Sequence, residues 1–135
     1  MAHPVLDRLM DFCLRFAQSM LAKNGAFHPF AAKLNTAGEL SPVAIPLGEE
    51  VPPSQALVSR YTALLKDLAA AGEIQAAALC YDTTLATGHA ITVSLEHADG
   101  ESVTVFQPYQ QASNGKFRFD PPVATVSPRK FFPQG

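Results

Sequence analysis

The chain has 135 residues, 47% of them hydrophobic and only 16% charged, and its 10 basic and 12 acidic residues leave a formal charge of −2. That length fits a single domain, since domains of roughly 100–150 residues bury enough surface to be stable and halves of this chain would not. The near-neutral balance gives no long-range positive field for a phosphate backbone or an anionic membrane, which argues against nucleic-acid and membrane-surface binding.

The first element is predicted from Pro4 to about Lys23. Val5, Leu6, Leu9, Met10, Cys13, Phe16, Ala17, Met20 and Leu21 recur there at three- and four-residue steps, the signature of one buried helical face. Phe12 and Leu14 fall off that stripe, so a cover on more than one side is expected. Asp7, Arg8, Asp11 and Arg15 interrupt the apolar run, so it reads as neither a signal peptide nor a membrane span. Pro4 suits a first helical turn, and Asn24-Gly25 a left-handed stop.

Residues 26–34 and 39–45, joined by Asn35-Thr36-Ala37-Gly38, read as a hairpin, with Pro29 and Pro42 confined to edges, strand ends or bulges because neither can donate to a ladder. The run PLGEEVPP is predicted as a stiffened loop leading to Ser54 as an N-cap. From Ser54 to Ala71, Leu57, Val58, Tyr61, Leu64, Leu65 and Leu68 share one face of a second helix that Gly72 ends.

Three alternating segments follow, and they form the most patterned part of the chain. In the first, Ile74, Ala76, Ala78 and Cys80 oppose Gln75, Ala77, Leu79 and Tyr81, so both faces are apolar or small and the strand is central. In the second, Ile91, Val93 and Leu95 alternate with Thr92, Ser94 and Glu96, which predicts a strand solvated on one side. Ala98-Asp99-Gly100 turns the chain into a third strand through Val103 and Val105, and Phe117 and Phe119 suit one more short strand after Asn114-Gly115. The proline-rich end from residue 121 reads as an arm tucked against its own domain or a twin subunit. The fold class is thus α+β: one domain over residues 1–120 plus the arm at 121–135, with an antiparallel five-stranded sheet and two main helices.

No short motif carries chemistry. Cys13 and Cys80 sit among apolar neighbours and read as reduced packing thiols, from which a cytoplasmic location is expected. His3, His28, His89 and His97 are scattered without metal-ligand spacing, and no glycine-rich phosphate loop occurs, so neither a metal nor a cofactor is implied. The polar groups that stand out lie at strand ends. Asp82 closes the central strand within reach of His89 across the loop TTLATG, and His97 stands beside the Asp-Gly turn; each also suits a purely structural role. A pocket between sheet and helix is expected to involve Phe27, Phe30, Tyr61, Tyr81 and Phe106, so the candidate ligand-binding set is Asp82, His89, His97, Phe30, Tyr61 and Tyr81, with no catalytic residue assigned.

The element order helix, hairpin, helix, meander over residues 4–108 resembles roadblock and profilin-like domains, which implies a sheet flanked by helices. GAFHPFAAKLNTAGEL, AAALCYDTTL and AITVSLEHADG look like a group of small bacterial proteins without assigned activity, and neither resemblance carries a functional residue over. The leading expectation is a non-enzymatic interaction domain that homodimerises or binds another protein, an immunity-type role being one form of it. A small-molecule sensor or carrier is the alternative, followed by a hydrolase or isomerase using Asp82, His89 and His97.

Overall fold

A computed structural model describes residues 3–45 and 53–133. Helix α1 (Pro4–Asn24) is followed by β1 (Phe30–Asn35), β2 (Leu40–Val43), α2 (Ser54–Ala70), β3 (Ile74–Leu85), β4 (Gly88–His97), β5 (Ser102–Gln111), β6 (Phe117–Phe119) and β7 (Val123–Val126). The architecture is α+β, with two helices and one antiparallel sheet among the described residues. The sheet has seven strands where five are expected from the sequence: its order is β2-β1-β3-β4-β5-β6, and β7 also pairs with β5. β6 and β7 share one edge of β5, β6 against residues 109–111 and β7 against residues 103–106. Of the predicted loop at 46–53, residues 46–52 lie outside the described residues.

Each helix covers one face. α1 packs on β1, β3 and β4, burying Leu6, Leu9, Cys13, Leu14, Ala17 and Leu21 against Ala76, Ala78, Cys80, Ile91, Val93 and Leu95. Leu14 belongs to this buried stripe, and Phe16, assigned to it from the sequence, is instead 43% exposed. The helical register explains the exchange: Leu14 falls next to Leu21 at one margin of the buried arc, while Phe16 lies just past Leu9 at the other rim and meets Phe30 edge-on at 4.8 Å. α2 places Leu57, Tyr61 and Leu65 on the opposite face against Ala31, Val43, Ala77 and Leu79. Its N-cap is Pro53 and not Ser54, and no side chain caps it.

Two further departures concern the sheet. Ile74 leaves the α1-facing set and joins the α2 side, because the β1–β3 register shifts between Leu34 and Asn35, where Asn35 pairs with Ile74. Such an irregularity reverses the facing of the residues beyond it. Gln75, in the offset, accepts the Ala98 N–H through its backbone and donates from Nε2 to the Asn35 carbonyl.

The second departure is larger. Thr92, Ser94 and Glu96 are not solvated; they are only 1%, 2% and 1% exposed. α2 contacts β1 and β3, whereas the C-terminal segment lies over the β4–β5 part of the same face. Beyond β7, Phe131 and Phe132 are buried within the α2-side cluster, and the Glu96 carboxylate accepts the backbone N–H groups of Lys130 at 2.6 Å, Phe131 at 3.0 Å and Phe132 at 3.1 Å. Lys130 Nζ donates to Ser94 Oγ at 3.2 Å. A buried carboxylate is tolerated only when its oxygens are satisfied, and here backbone donors from the tail satisfy them.

Glu96→Ala would remove the acceptor of these N–H groups. The expected loss is about 2–4 kcal/mol, read by urea denaturation, because bonds to a charged group are worth more than neutral ones and buried donors left unpaired add a penalty. A loss within experimental error would show that the carboxylate does not anchor the tail.

Candidate functional site

Strand alternation decides which polar groups meet. Asp82 shares the α1-facing side of β3 with Ala76, Ala78 and Cys80, and His89 shares that side of β4 with Ile91 and Val93. On β5, Tyr109 continues the parity of Val103 and Val105 and lies directly opposite His89. Asp82 pairs with Ile91, which makes His89 its diagonal neighbour. All three side chains therefore project from one face at one end of the sheet. α1 does not cover them, because it stops at Asn24 and Gly25 adopts a left-handed φ of 75°.

The three groups form a hydrogen-bonded cluster. His89 Nδ1 lies 2.9 Å from Asp82 Oδ2, and the Tyr109 hydroxyl donates to Asp82 Oδ1 in a very short bond. An ionised carboxylate only accepts, so Nδ1 of His89 carries the proton and, in the neutral ring, Nε2 presents a lone pair. The His89 and Tyr109 rings stack at 5.7 Å and 23°. Tyr109 also touches Phe117 and Phe119 of β6, at 5.9 Å and 6.0 Å between centroids. Burial, then the hydrogen bond to Asp82 and its negative charge, push the Tyr109 phenol far above its ordinary range, so it remains a donor.

Above this cluster opens a cleft of about 430 Å³. Gly25, Ala26 and Phe27 form one wall where the chain leaves α1, and Gln110, Gln111 and Phe117 form another. Asp82 and His89 remain accessible, their side chains being 30% and 49% exposed. Gly88 lies beside the β5 backbone, where a Cβ would come 3.5 Å from the Tyr109 carbonyl.

The sequence-derived set is thus divided. Asp82 and His89 meet as expected, but Asp82 does not close its strand and TTLATG is not a loop: the ladder carries β3 on to Leu85, and only Ala86 and Thr87 separate it from β4. His97 does not join them: it pairs with Ala76, six residues along β3 from Asp82, or roughly 20 Å at the usual strand rise. Its ring instead packs 4.8 Å from His3, accepts the Asp99 N–H at Nδ1, and meets Gln75 Oε1 at 3.3 Å. His3, at the start of α1, reaches Asp99 at 2.9 Å. Potential ligand atoms of His3, His97 and Asp99 lie within 4.8 Å of one another, a juxtaposition that sequence spacing does not announce.

The aromatic set is divided as well. Phe27 lines the cleft, and Phe30 packs on the α1-side core beside Phe16 and Phe27. Tyr61 is buried in the α2-side core, and Tyr81 packs against that core. Phe106, on β5, pairs with Thr92 of β4 and is half-buried. The expected common pocket for these five does not form, because residues of opposite strand parity face opposite sides of the sheet. Cys13 and Cys80 are free and fully buried. Burial, and then the hydrogen bond with Cys13, hold the Cys80 thiol well above its ordinary range and leave it protonated.

Tyr109 and Phe117 complete the site, and the sequence reading does not single them out. Tyr109 is recoverable in principle, since counting outward from the Asp99 turn places it opposite His89. Phe117 is expected in a short strand after the Asn114-Gly115 turn, and its pairing with Gln111 brings it to the cleft. No protein-family model, curated protein or solved structure matches this chain. Among the described residues no helix is long and apolar enough to cross a membrane.

The Tyr109 environment yields a pH dependence. A folded-state pKa above the unfolded value of about 10 means that the native state holds the phenolic proton longer, so stability is lost as pH rises past that value. Tyr61, raised by burial, acts in the same direction. Tyr109→Phe is expected to reduce the alkaline loss of stability between about pH 10 and 12, followed by thermal unfolding across that range. An unchanged profile would place Tyr109 outside the alkaline transition.

Proposed function

We propose that this chain is a non-catalytic small-molecule binding module that takes its ligand in the cleft over Asp82, His89 and Tyr109. The observation that carries this reading is the convergence of those polar groups at the floor of a cleft flanked by Phe27 and Phe117. Binding sites for small molecules combine an apolar or aromatic lining with a few convergent polar groups, and a volume of this order is typical. Among the described residues no serine, threonine, cysteine or lysine lines the cleft, and the Asp82 carboxylate is already engaged by Tyr109 and His89, which favours binding over nucleophilic catalysis. The acid–base alternative retains only the Asp82–His89 pair, since His97 lies elsewhere. A cytoplasmic setting is proposed on the two unbridged cysteines. A relationship to roadblock or profilin-like domains stays a proposal of layout, drawn from element order.

Amide chemical shifts followed during titration with a metabolite mixture test the ligand reading. Perturbation is expected at Gly88, His89, Gln110 and Phe117, and Phe117→Ala should weaken binding at least about tenfold through lost aromatic contact. Absence of any perturbation there would overturn it.

A specific feature supports a second reading, homodimerisation through β7. Val123–Val126 is uncharged and exposed along its length, with Val123 61% and Val126 84% exposed. It pairs with β5 on one side, and among the described residues no strand pairs with its other side. β2, at the opposite edge, contains Pro42, a common guard against edge pairing. An antiparallel β7–β7 contact between two copies would be self-complementary and close under two-fold symmetry. Light scattering after size exclusion should then report a dimer that Val126→Lys converts to monomer; a monomeric unmodified chain at about 100 μM would exclude a dimer of ordinary affinity.

A further inference from the structure

We infer that the cleft selects a small organic cation, a primary ammonium or guanidinium group carried on a compact apolar body. The inference rests on the reading of the cleft as a ligand site and specifies the chemistry it accepts. Among the described residues that line the cleft only Asp82 is a formal anion, and none is a lysine or arginine. Arg118, on neighbouring β6, is directed to Gln110 Oε1 at 3.0 Å.

The hydrogen-bonding inventory points the same way. Each Asp82 oxygen accepts one bond from within the protein, Oδ1 from Tyr109 and Oδ2 from His89, and each retains further acceptor capacity. With its Nδ1 proton directed at Asp82, the His89 ring in its uncharged form has a lone pair at Nε2. Gln111 donates through Nε2 to the Gly115 carbonyl, so its Oε1 stays an acceptor. α1 ends beside the cleft at Gly25, and the C-terminus of a long helix carries partial negative charge from its last carbonyls.

The walls contribute a second attraction. Phe27, Phe117 and the Tyr109 ring present aromatic surface around the carboxylate, and aromatic faces attract cations, more strongly where water is partly excluded. An anionic ligand would meet the Asp82 carboxylate within the cleft, while the basic residues near it, Lys23 in the last turn of α1 and Arg118 bonded to Gln110, stand outside the lining. A neutral one would lose both the ion pair and the cation–π contact.

Three probes of matched shape test this, with binding read as amide shift changes at Gly88 and Phe117: 2-phenylethylamine, 2-phenylethanol and 3-phenylpropionate. The amine is expected to bind about tenfold more tightly than the alcohol, equivalent to roughly 1.4 kcal/mol, and the carboxylate not to bind. In Asp82→Asn the amine should lose that advantage. In the unmodified chain the preference should also shrink from 20 mM to 500 mM NaCl by charge screening, a readout that does not depend on the variant folding. Equal binding of amine and alcohol, or preference for the carboxylate, would overturn the cation inference and leave the cleft as a ligand site. So would silence from all three probes where a component of the metabolite mixture binds. If neither the probes nor the mixture perturbs the cleft, both readings fall.

Discussion

A sheet whose central strands are buried on both sides needs two covers, and this requirement shapes the rest of the molecule. β3 and β4 have buried side chains on both faces. α1 is long enough to cover one face across β1, β3 and β4, whereas α2 packs mainly on β3 and β1, with Val43 of β2, on the other. The remaining area is covered by the chain's last described residues, which Phe131 and Phe132 anchor by burial and Glu96 anchors by accepting their backbone donors. A buried carboxylate is costly unless paired, so removing the tail would expose the surface on which Phe131 and Phe132 pack and leave Glu96 without its partners.

The same geometry places the cleft. α1 has 21 residues and therefore spans about 31 Å, enough to run from the β4–β5 turn to the opposite sheet end and stop. At its start, His3 closes over His97 and Asp99. At its finish, Gly25 turns the chain away, and Asp82, His89 and Tyr109 lie beyond the helix with only partial cover. Two polar clusters at opposite strand ends thus acquire different characters. One is a tie between the N-terminal helix and a hairpin turn; the other is an accessible floor with aromatic walls.

The elements themselves were legible because each depends on local pattern. The helical stripe of α1, the two-faced apolar run of β3 and the Asp-Gly turn before β5 are written in side-chain periodicity, which backbone geometry converts directly into facing. The Asp82–His89 contact was accessible for the same reason, since a short hairpin loop joins their strands. Tyr109 needed one further step, a register count across the β4–β5 turn. Glu96 is the contrary case. Its alternation with Leu95 and Val93 reads as solvent-facing, and nothing local reveals that a segment more than thirty residues later covers it.

What the sequence by itself determined is therefore the class of the fold, the positions of its helices and main strands, and the strand ends at which polar groups gather. Periodicity and turn chemistry suffice for these because they act over a few residues. Only the tertiary structure decided that β7 extends the sheet, that the C-terminal segment buries the polar face of β4, and that His97 belongs with His3 and not with Asp82. It also decided that Phe30, Tyr61 and Tyr81 serve the cores on two sides of the sheet while Phe27 and Phe117 frame the cleft. Those outcomes depend on which surfaces compete to cover the sheet and where α1 ends along it, and that competition is settled by non-local burial.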